Sequence, residues 1–372
     1  MLVAPRLVAP VTGSGKDAPP PGTGRTVQRE NQTVAQLTVL EPEGLYPDTL
    51  LEQEVFGPGV EIIHGGAPHD GTLDALPDAV CAKVDGLLIF RHWLRPADLA
   101  RFPKLRVVVR MGVGYDRLDR AACAARGITV CNVPDYGTQE VADHAMSLAL
   151  GLRRGLFLHH DLQRADPPAA WRYVDSSLIR RAEVQGFGIV GLGRIGTAVA
   201  LRAKAFGFKV CFYDPHLSNG VDRALGIARA RTLEALMRGA DVLSIHAPDT
   251  RETRGLIGAR ELSWLPEGAV VVNTARGTSL DIAALEAGLR SGRIAGAGLD
   301  VIPVEPPVAP VPALLAAYRA REPWLLGRVV ITPHSAFHTP EAWLDIRLKS
   351  VETMRDVLVE GLSTNVIHPD QG

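Results

Sequence analysis

Three side chains of this 372-residue sequence have types and positions suited to one reaction: Arg276 in VVVNTARG, Glu305 after GLDVIPV, and His334 in ITPHSAF. Arginine presents a rigid fork of donors that grips a carboxylate and polarises an adjacent carbonyl. Histidine titrates near neutral pH and can hand a proton to a nascent alkoxide, and a neighbouring carboxylate such as Glu305 would favour its charged form. Together they suit hydride reduction of a 2-oxo acid, or the reverse. Singly, each has a plainer reading. A histidine after a strand is more often structural, an arginine can simply close a strand end, and a glutamate in a proline-rich loop is ordinarily solvated. A hydride source in the same chain would lift all three.

The pattern G-x-G-x-x-G occurs twice and overlapping, at Gly186, Gly188, Gly191 and at Gly191, Gly193, Gly196; among 37 glycines the pattern alone decides little. Context favours the second. The run Phe187–Val190 precedes it as a strand, Thr197–Phe206 follows as a helix, and the next strand ends at Asp214, 18 positions past Gly196. A dinucleotide needs those features: a tight glycine turn, a helix N-terminus for the pyrophosphate, and a carboxylate for the adenosine ribose. The first match would put Gly193 and Gly196 inside the helix and Lys209 at the acidic position. Asp214 would bond a ribose diol and repel a 2′-phosphate, so the cofactor is expected to be NAD rather than NADP.

The elements that must hold these residues alternate strand with helix, the pattern of parallel α/β sheets. Strands are expected at Leu37–Pro42, Val60–His64, Gly86–Phe90, Arg106–Arg110 and Ile128–Val133, followed by a buried helix over Ala142–Leu152. A second series comprises Phe187–Val190, Lys209–Tyr213, Asp241–His246, Ala269–Thr274, Ala295–Val301 and Val329–Thr332, with a further helix at Ile282–Leu289. A last amphipathic helix spans about Glu341–Glu360, with Leu344, Leu348, Val351, Met354 and Leu358 at helical spacing. Arg276, Glu305 and His334 all fall at or past strand ends, where open parallel sheets place their chemistry. Residues 303–328 read as a long Pro/Ala-rich loop.

Composition narrows the partners. With 40 basic against 41 acidic side chains there is no net field to attract nucleic acid or an anionic membrane, and no apolar run approaches a bilayer span. Cys81, Cys123, Cys131 and Cys211 form no C-x-x-C pair; they read as buried apolar residues in a reducing, cytoplasmic compartment. His159, His160 and Asp161 lie in a polar stretch and are not expected to bind metal. Trp171, Trp264, Trp324 and Trp343 are expected in core or interface packing. Residues 1–34 read as a disordered tail or a misassigned start, with a transit peptide as the alternative.

The ordered set VVVRMGVGYDRLD (107–119), VGLGRIG (190–196), YDP (213–215), NTARG (273–277), GLDVIPVEP (298–306) and TPHSAF (332–337) resembles the D-isomer-specific 2-hydroxyacid dehydrogenases over residues 37 to 365. The resemblance implies Arg276 as substrate-binding arginine and Glu305 with His334 as the acid/base pair. It implies Arg194 and Ile195 on the pyrophosphate, Asp214 on the ribose, and His246, Ala247 and Pro248 along the adenine. It also implies Thr274 near the nicotinamide, Asp300 on its amide, and backbone N–H groups of Val113 and Gly114 for the substrate carboxylate. Within the family, residues 198–227 and VVVRMGVGYD are similar to the C-terminal-binding-protein branch, NAD(H)-responsive corepressors with dehydrogenase folds. Arg110 matches a substrate-side arginine there, whereas Phe337 stands where that branch has tryptophan.

The architecture expected is two doubly wound, Rossmann/flavodoxin-like α/β domains with the site in the cleft between them. Residues 35–136 plus 333–372 would form a discontinuous substrate domain, and 137–332 the cofactor domain. The family also implies a homodimer. The rival expectation is an NAD(H)-sensing partner protein with vestigial catalysis; a formate- or phosphite-type oxidiser is a third.

Overall fold

The computed structural model describes residues 36–68 and 72–369, so the expectation for residues 1–34 lies outside the described residues. The strands are β1 (Leu37–Glu41), β2 (Val60–His64), β3 (Gly86–Ile89), β4 (Val107–Arg110), β5 (Thr129–Asn132), β6 (Gly186–Val190), β7 (Lys209–Tyr213), β8 (Ala228–Arg229), β9 (Val242–Ile245), β10 (Ala269–Asn273), β11 (Ile294–Leu299) and β12 (Val329–Ile331). They form two sheets, ordered β2-β1-β3-β4-β5 and β12-β11-β10-β9-β6-β7-β8, and every ladder in both is parallel. Strand order reverses between β1 and β3 in the first and between β6 and β9 in the second. Such reversals open a crevice beyond the carboxyl ends of the strands. Helices cover both faces of such sheets, which is why a strand such as β10, AVVVN, is buried at every position.

The expected strands are all present within a residue or two of their predicted limits. Only the two-residue edge strand β8, too short to leave a pattern, was not anticipated. The helices differ more. The helix after the glycine loop runs Arg194–Ala205, three residues earlier than apolar periodicity suggested, because its polar first turn follows directly from Gly193. The last helix ends at Met354 and continues as a π-helical turn, Arg355–Val359. It packs on β3 and β4 and against the helix Leu50–Phe56 of the first sheet. Its inward face is Ala342, Ile346, Ser350 and Met354, while Leu344 is 57 % exposed, a correction to the expected stripe. Small residues at 342 and 350 bring this face closer to the sheet than a leucine would allow.

Residues 303–328 are not a plain loop. They contain the helix Ala313–Arg319, whose Leu314, Leu315 and Ala317 are buried, and a 3-10 turn at Pro323–Leu325. Leu314, Ala317 and Leu325 join the core of the second sheet. Trp171 is 92 % exposed, so of the expected core or interface packing the core is excluded for it. Cys81, Cys123 and Cys131 are buried as expected, and Cys211 is partly so.

At the carboxyl ends of β1 and β3 lies a buried acid cluster. One carboxylate oxygen of Glu43 accepts the N–H groups of Phe90, Arg91 and His92 at 2.9, 2.7 and 3.2 Å, and His92 Nδ1 stands 2.9 Å from it. Burial, reinforced by the Glu43 charge, pushes the neighbouring Glu41 carboxyl from its ordinary 4.5 up to about 8. The folded chain therefore keeps a proton that the unfolded chain has lost, and stability falls as pH rises between those two values. Glu41→Gln is expected to melt above wild type at pH 8 and to lose most of that advantage at pH 5. Thermal melts at both pH values check this; a gap independent of pH would refute it.

Candidate active site

Register builds the cofactor side. Val190 pairs with Tyr213 and Ile245, Asn273 with Ile245 and Leu299, and Leu299 with Ile331, so six strand ends stand in one row. The next residue in each strand is therefore brought to a common edge: Gly191, Asp214, His246, Thr274, Asp300 and Thr332. Five of these six were singled out from sequence. Gly191 sits at φ +85°, and a Cβ there would stand 2.8 Å from Ala247 Cα, so only glycine fits against the end of β9. The first bond of the helix after it is donated by Thr197 N–H to Gly193 O at 2.9 Å, and the N–H groups of Arg194, Ile195 and Gly196 make no hydrogen bond among the described residues. A Cβ on Gly193 would meet nothing within 4 Å, so that helix end is open.

Asp214 accepts from Leu192 N–H at 2.9 Å and from His216 N–H at 3.0 Å. It thus braces the glycine turn while its remaining lone pairs stay available. His246 bonds Ser244 at 2.8 Å, and burial pushes its pKa down to about 3, so the edge beside Ala247 and Pro248 carries no charge from it. Asp300 is spent on the chain itself: it accepts from the Thr332 hydroxyl and from the N–H groups of Ser335 and Ala336, both at 2.9 Å.

His334 follows β12 in a left-handed backbone conformation, φ 53°, held by its N–H donating to Asp300 O at 2.8 Å and Thr332 O at 3.1 Å. Its Nδ1 lies 2.6 Å from Glu305 Oε2, and the other Glu305 oxygen accepts Ile302 N–H at 2.9 Å. Burial alone would raise the Glu305 carboxyl, but His334, the Ile302 N–H and Arg276 hold it below its usual range. Arg276 crosses from the second sheet to the first: its Nε and Nη2 both donate to Asp116 Oδ1 at 3.1 Å, and Nη1 donates to Ala275 O at 2.8 Å.

On the first sheet Arg110 ends β4, its guanidinium 5.5 Å from the Phe90 ring centre. Burial lowers its pKa; Tyr136 and Asp116 oppose that and Arg276 adds to it. The N–H groups of Val113 and Gly114 make no hydrogen bond among the described residues. Phe337 is 7 % exposed and packs edge-on to Phe90, Tyr136 and Trp343, at 6.3, 5.7 and 5.7 Å. It is one ring removed from Arg110.

Residues 146–336 match the profile described as "D-isomer specific 2-hydroxyacid dehydrogenase, NAD binding domain". The chain belongs to the D-isomer-specific 2-hydroxyacid dehydrogenase family. It is 35 % identical to C-terminal-binding protein 1 of Caenorhabditis elegans over 270 residues, 71 % of this chain and 36 % of that one. It is 36 % identical to D-3-phosphoglycerate dehydrogenase of Mycobacterium bovis over 309 residues, 82 % of this chain and 53 % of that one. The chain thus spans between a third and about half of the length of these two relatives. Among solved structures, D-lactate dehydrogenase of Aquifex aeolicus, complexed with NAD and lactic acid, superposes with a TM-score of 0.73 at 26 % identity, covering 89 % of this chain and 98 % of that one.

NAD is the cofactor of this dehydrogenase family, and the residues present fit it. The open helix end at Gly193 offers unpaired N–H groups for a diphosphate, Asp214 has acceptor capacity for a diol, and Thr274 Oγ1 is buried without a hydrogen-bond partner among the described residues. Asp214→Ala is expected to cut the preference for NADH over NADPH by about tenfold or more, since a carboxylate facing a phosphate is what excludes it. Fluorescence titration with both cofactors measures it; an unchanged preference would mean that another group reads the ribose.

Four further residues escaped the sequence reading. Asp116 pairs with Arg276, Tyr136 stands beside Arg110, and His144 bonds Thr332 at 3.0 Å, which in turn bonds Asp300. Of these Asp116 left a trace, as the last residue of G-x-G-x-D after β4, and Thr332 another, as the first residue of TPHSAF; Tyr136 and His144 left none.

Proposed function

We propose that this chain is an NAD-dependent oxidoreductase that interconverts a small 2-oxo acid and its D-2-hydroxy acid. The observation that carries the reading is the 2.6 Å contact between His334 and Glu305, with Arg276 close enough to lower the Glu305 carboxyl. In this reading Arg276 and the Val113 and Gly114 N–H groups hold the carboxylate of the substrate. NAD, when bound, accepts or supplies the hydride. His334 protonates the developing alkoxide in reduction and takes the hydroxyl proton in oxidation, while Glu305 fixes its ring and offsets its charge. Asp300 acts by holding the 332–336 turn that carries His334.

The lobes 35–136 plus 333–372 and 137–332 are proposed to close on substrate and exclude water. A cytoplasmic homodimer is part of the same proposal. Trp171 and Tyr173, 92 % and 84 % exposed, are apolar area that a second copy would cover. Sedimentation equilibrium tests the dimer, and a monomer at micromolar protein would refute it.

The deciding experiment is NADH oxidation by the purified protein against glyoxylate, hydroxypyruvate, pyruvate, phenylpyruvate and 4-methylthio-2-oxobutyrate. Turnover of any one supports the reading. Tight NADH binding with no turnover across the panel would overturn it in favour of the NAD(H)-sensing, partner-binding protein that the likeness to C-terminal-binding protein 1 also suggests.

A further inference from the structure

Two cations and one anion meet at the loop after β4. A Cβ on Gly112 would stand 1.5 Å from Arg110 Nη1, and a Cβ on Gly114 would stand 1.5 Å from Arg276 Nη2. Both guanidinium groups therefore lie in the space that side chains at 112 and 114 would fill. Asp116, two residues on, pairs with Arg276 at 3.1 Å, and the two side chains are 26 % and 25 % exposed. Arg110 donates to Met111 O at 3.1 Å and has no carboxylate within ion-pair distance among the described residues. Glu305 is already engaged by His334 at 2.6 Å.

We propose that Asp116 is a specificity-determining residue: its carboxylate cancels one of the two guanidinium charges on the 112–114 loop, so the site takes a 2-oxo acid bearing one negative charge and rejects one with a second carboxylate on its side chain. This rests on the 2-oxo-acid reading above and goes beyond it by naming the charge class of the substrate. With Asp116 in place, Arg110 and Arg276 leave one positive charge, and the carboxylate of a simple 2-oxo acid neutralises it. Once that first carboxylate is bound, the charges of Arg110 and Arg276 are balanced, so a second would enter the field of Asp116 and Glu305 with no net positive charge left to offset it, and like charges so placed oppose binding. Asp116 also orients Arg276 by holding its Nε and Nη2, so it acts through the arginine rather than on the reacting atoms.

The test compares 2-oxoglutarate with 5-methyl-2-oxohexanoate, in which an isopropyl group replaces the distal carboxylate. Calorimetry in the presence of NAD+, where a 2-oxo acid binds without turnover, gives the ratio of their dissociation constants in wild type, Asp116→Asn and Asp116→Glu. Wild type is expected to favour the monoanion. Asp116→Asn should shift the ratio toward 2-oxoglutarate by about tenfold or more, and Asp116→Glu, which keeps the charge, should restore discrimination. A merely structural aspartate would weaken both ligands alike in Asp116→Asn; that unchanged ratio, or binding of neither ligand by any of the three proteins, overturns the proposal. The proposed activity fails separately: if the ratio shifts as expected while NADH oxidation stays silent across the panel, the charge rule stands and the enzymatic reading falls.

Discussion

Replacing His334 by glutamine is expected to lower kcat for 2-oxo-acid reduction by about 10²–10⁴-fold, with NADH affinity, read by fluorescence, near wild type. Glutamine can still bond Glu305, but it has no proton to give. The backbone supports a selective effect. His334 holds a φ of 53°, a conformation that costs about 1–3 kcal/mol outside glycine, and bonds from its own N–H to Asp300 and Thr332 fix it there whatever the side chain. A second readout follows from Glu305. Burial opposes its charge, and His334 is foremost among the groups that lower its pKa despite that. A carboxyl held low in the fold contributes stability above its unfolded value, and that contribution is lost as pH falls through the folded value. The variant should therefore melt below wild type at pH 7, and the gap should close as pH drops below the ordinary 4.5 of a glutamate. Joint loss of turnover and NADH binding would instead mark a structural histidine.

The cofactor edge was legible because parallel strands end in register. Once β6, β7, β9, β10 and β11 are recognised as short, mostly apolar strands of one parallel sheet, the residue after each must lie on one edge, and Gly191, Asp214, His246, Thr274 and Asp300 follow. The same logic placed Arg276 and His334. It could not find Asp116, because its partner is 160 residues away on the other sheet and contact across two domains leaves no period in the sequence. His144 escaped for a related reason: in a helix otherwise read as apolar, nothing local shows that its ring reaches Thr332. The turn of helix missed at Arg194 and the helix missed at Ala313–Arg319 share another cause, since Gly, Arg and Pro in their first turns or just before them mask the apolar period. Leu344 shows the limit of the period itself. A stripe at helical spacing identifies a helix, but which neighbouring face is buried depends on how closely that helix meets the sheet.

Arg276→Lys is expected to cost about 10²–10³-fold in kcat/KM, although it keeps the charge. The guanidinium is committed in three directions at once: Nε and Nη2 to Asp116, Nη1 to Ala275 O. Its plane is therefore fixed before any substrate arrives, and the donor capacity of Nη1 and Nη2 beyond those bonds can be met by a planar carboxylate. An ammonium group on a flexible stem can satisfy Asp116 or the substrate, but cannot hold the orientation that serves both. The loss should fall on both kcat and KM, because an unfixed cation both grips the carboxylate less well and polarises the carbonyl less well. Steady-state kinetics beside thermal melts separates this from the plainer reading of Arg276 as a strand-end residue. That reading predicts near-normal kinetics in Arg276→Lys and a lowered melting temperature in Arg276→Met. A catalytic anchor predicts crippled kinetics in both variants, and Asp116→Asn, which loosens the same guanidinium without removing it, should fall between them and wild type.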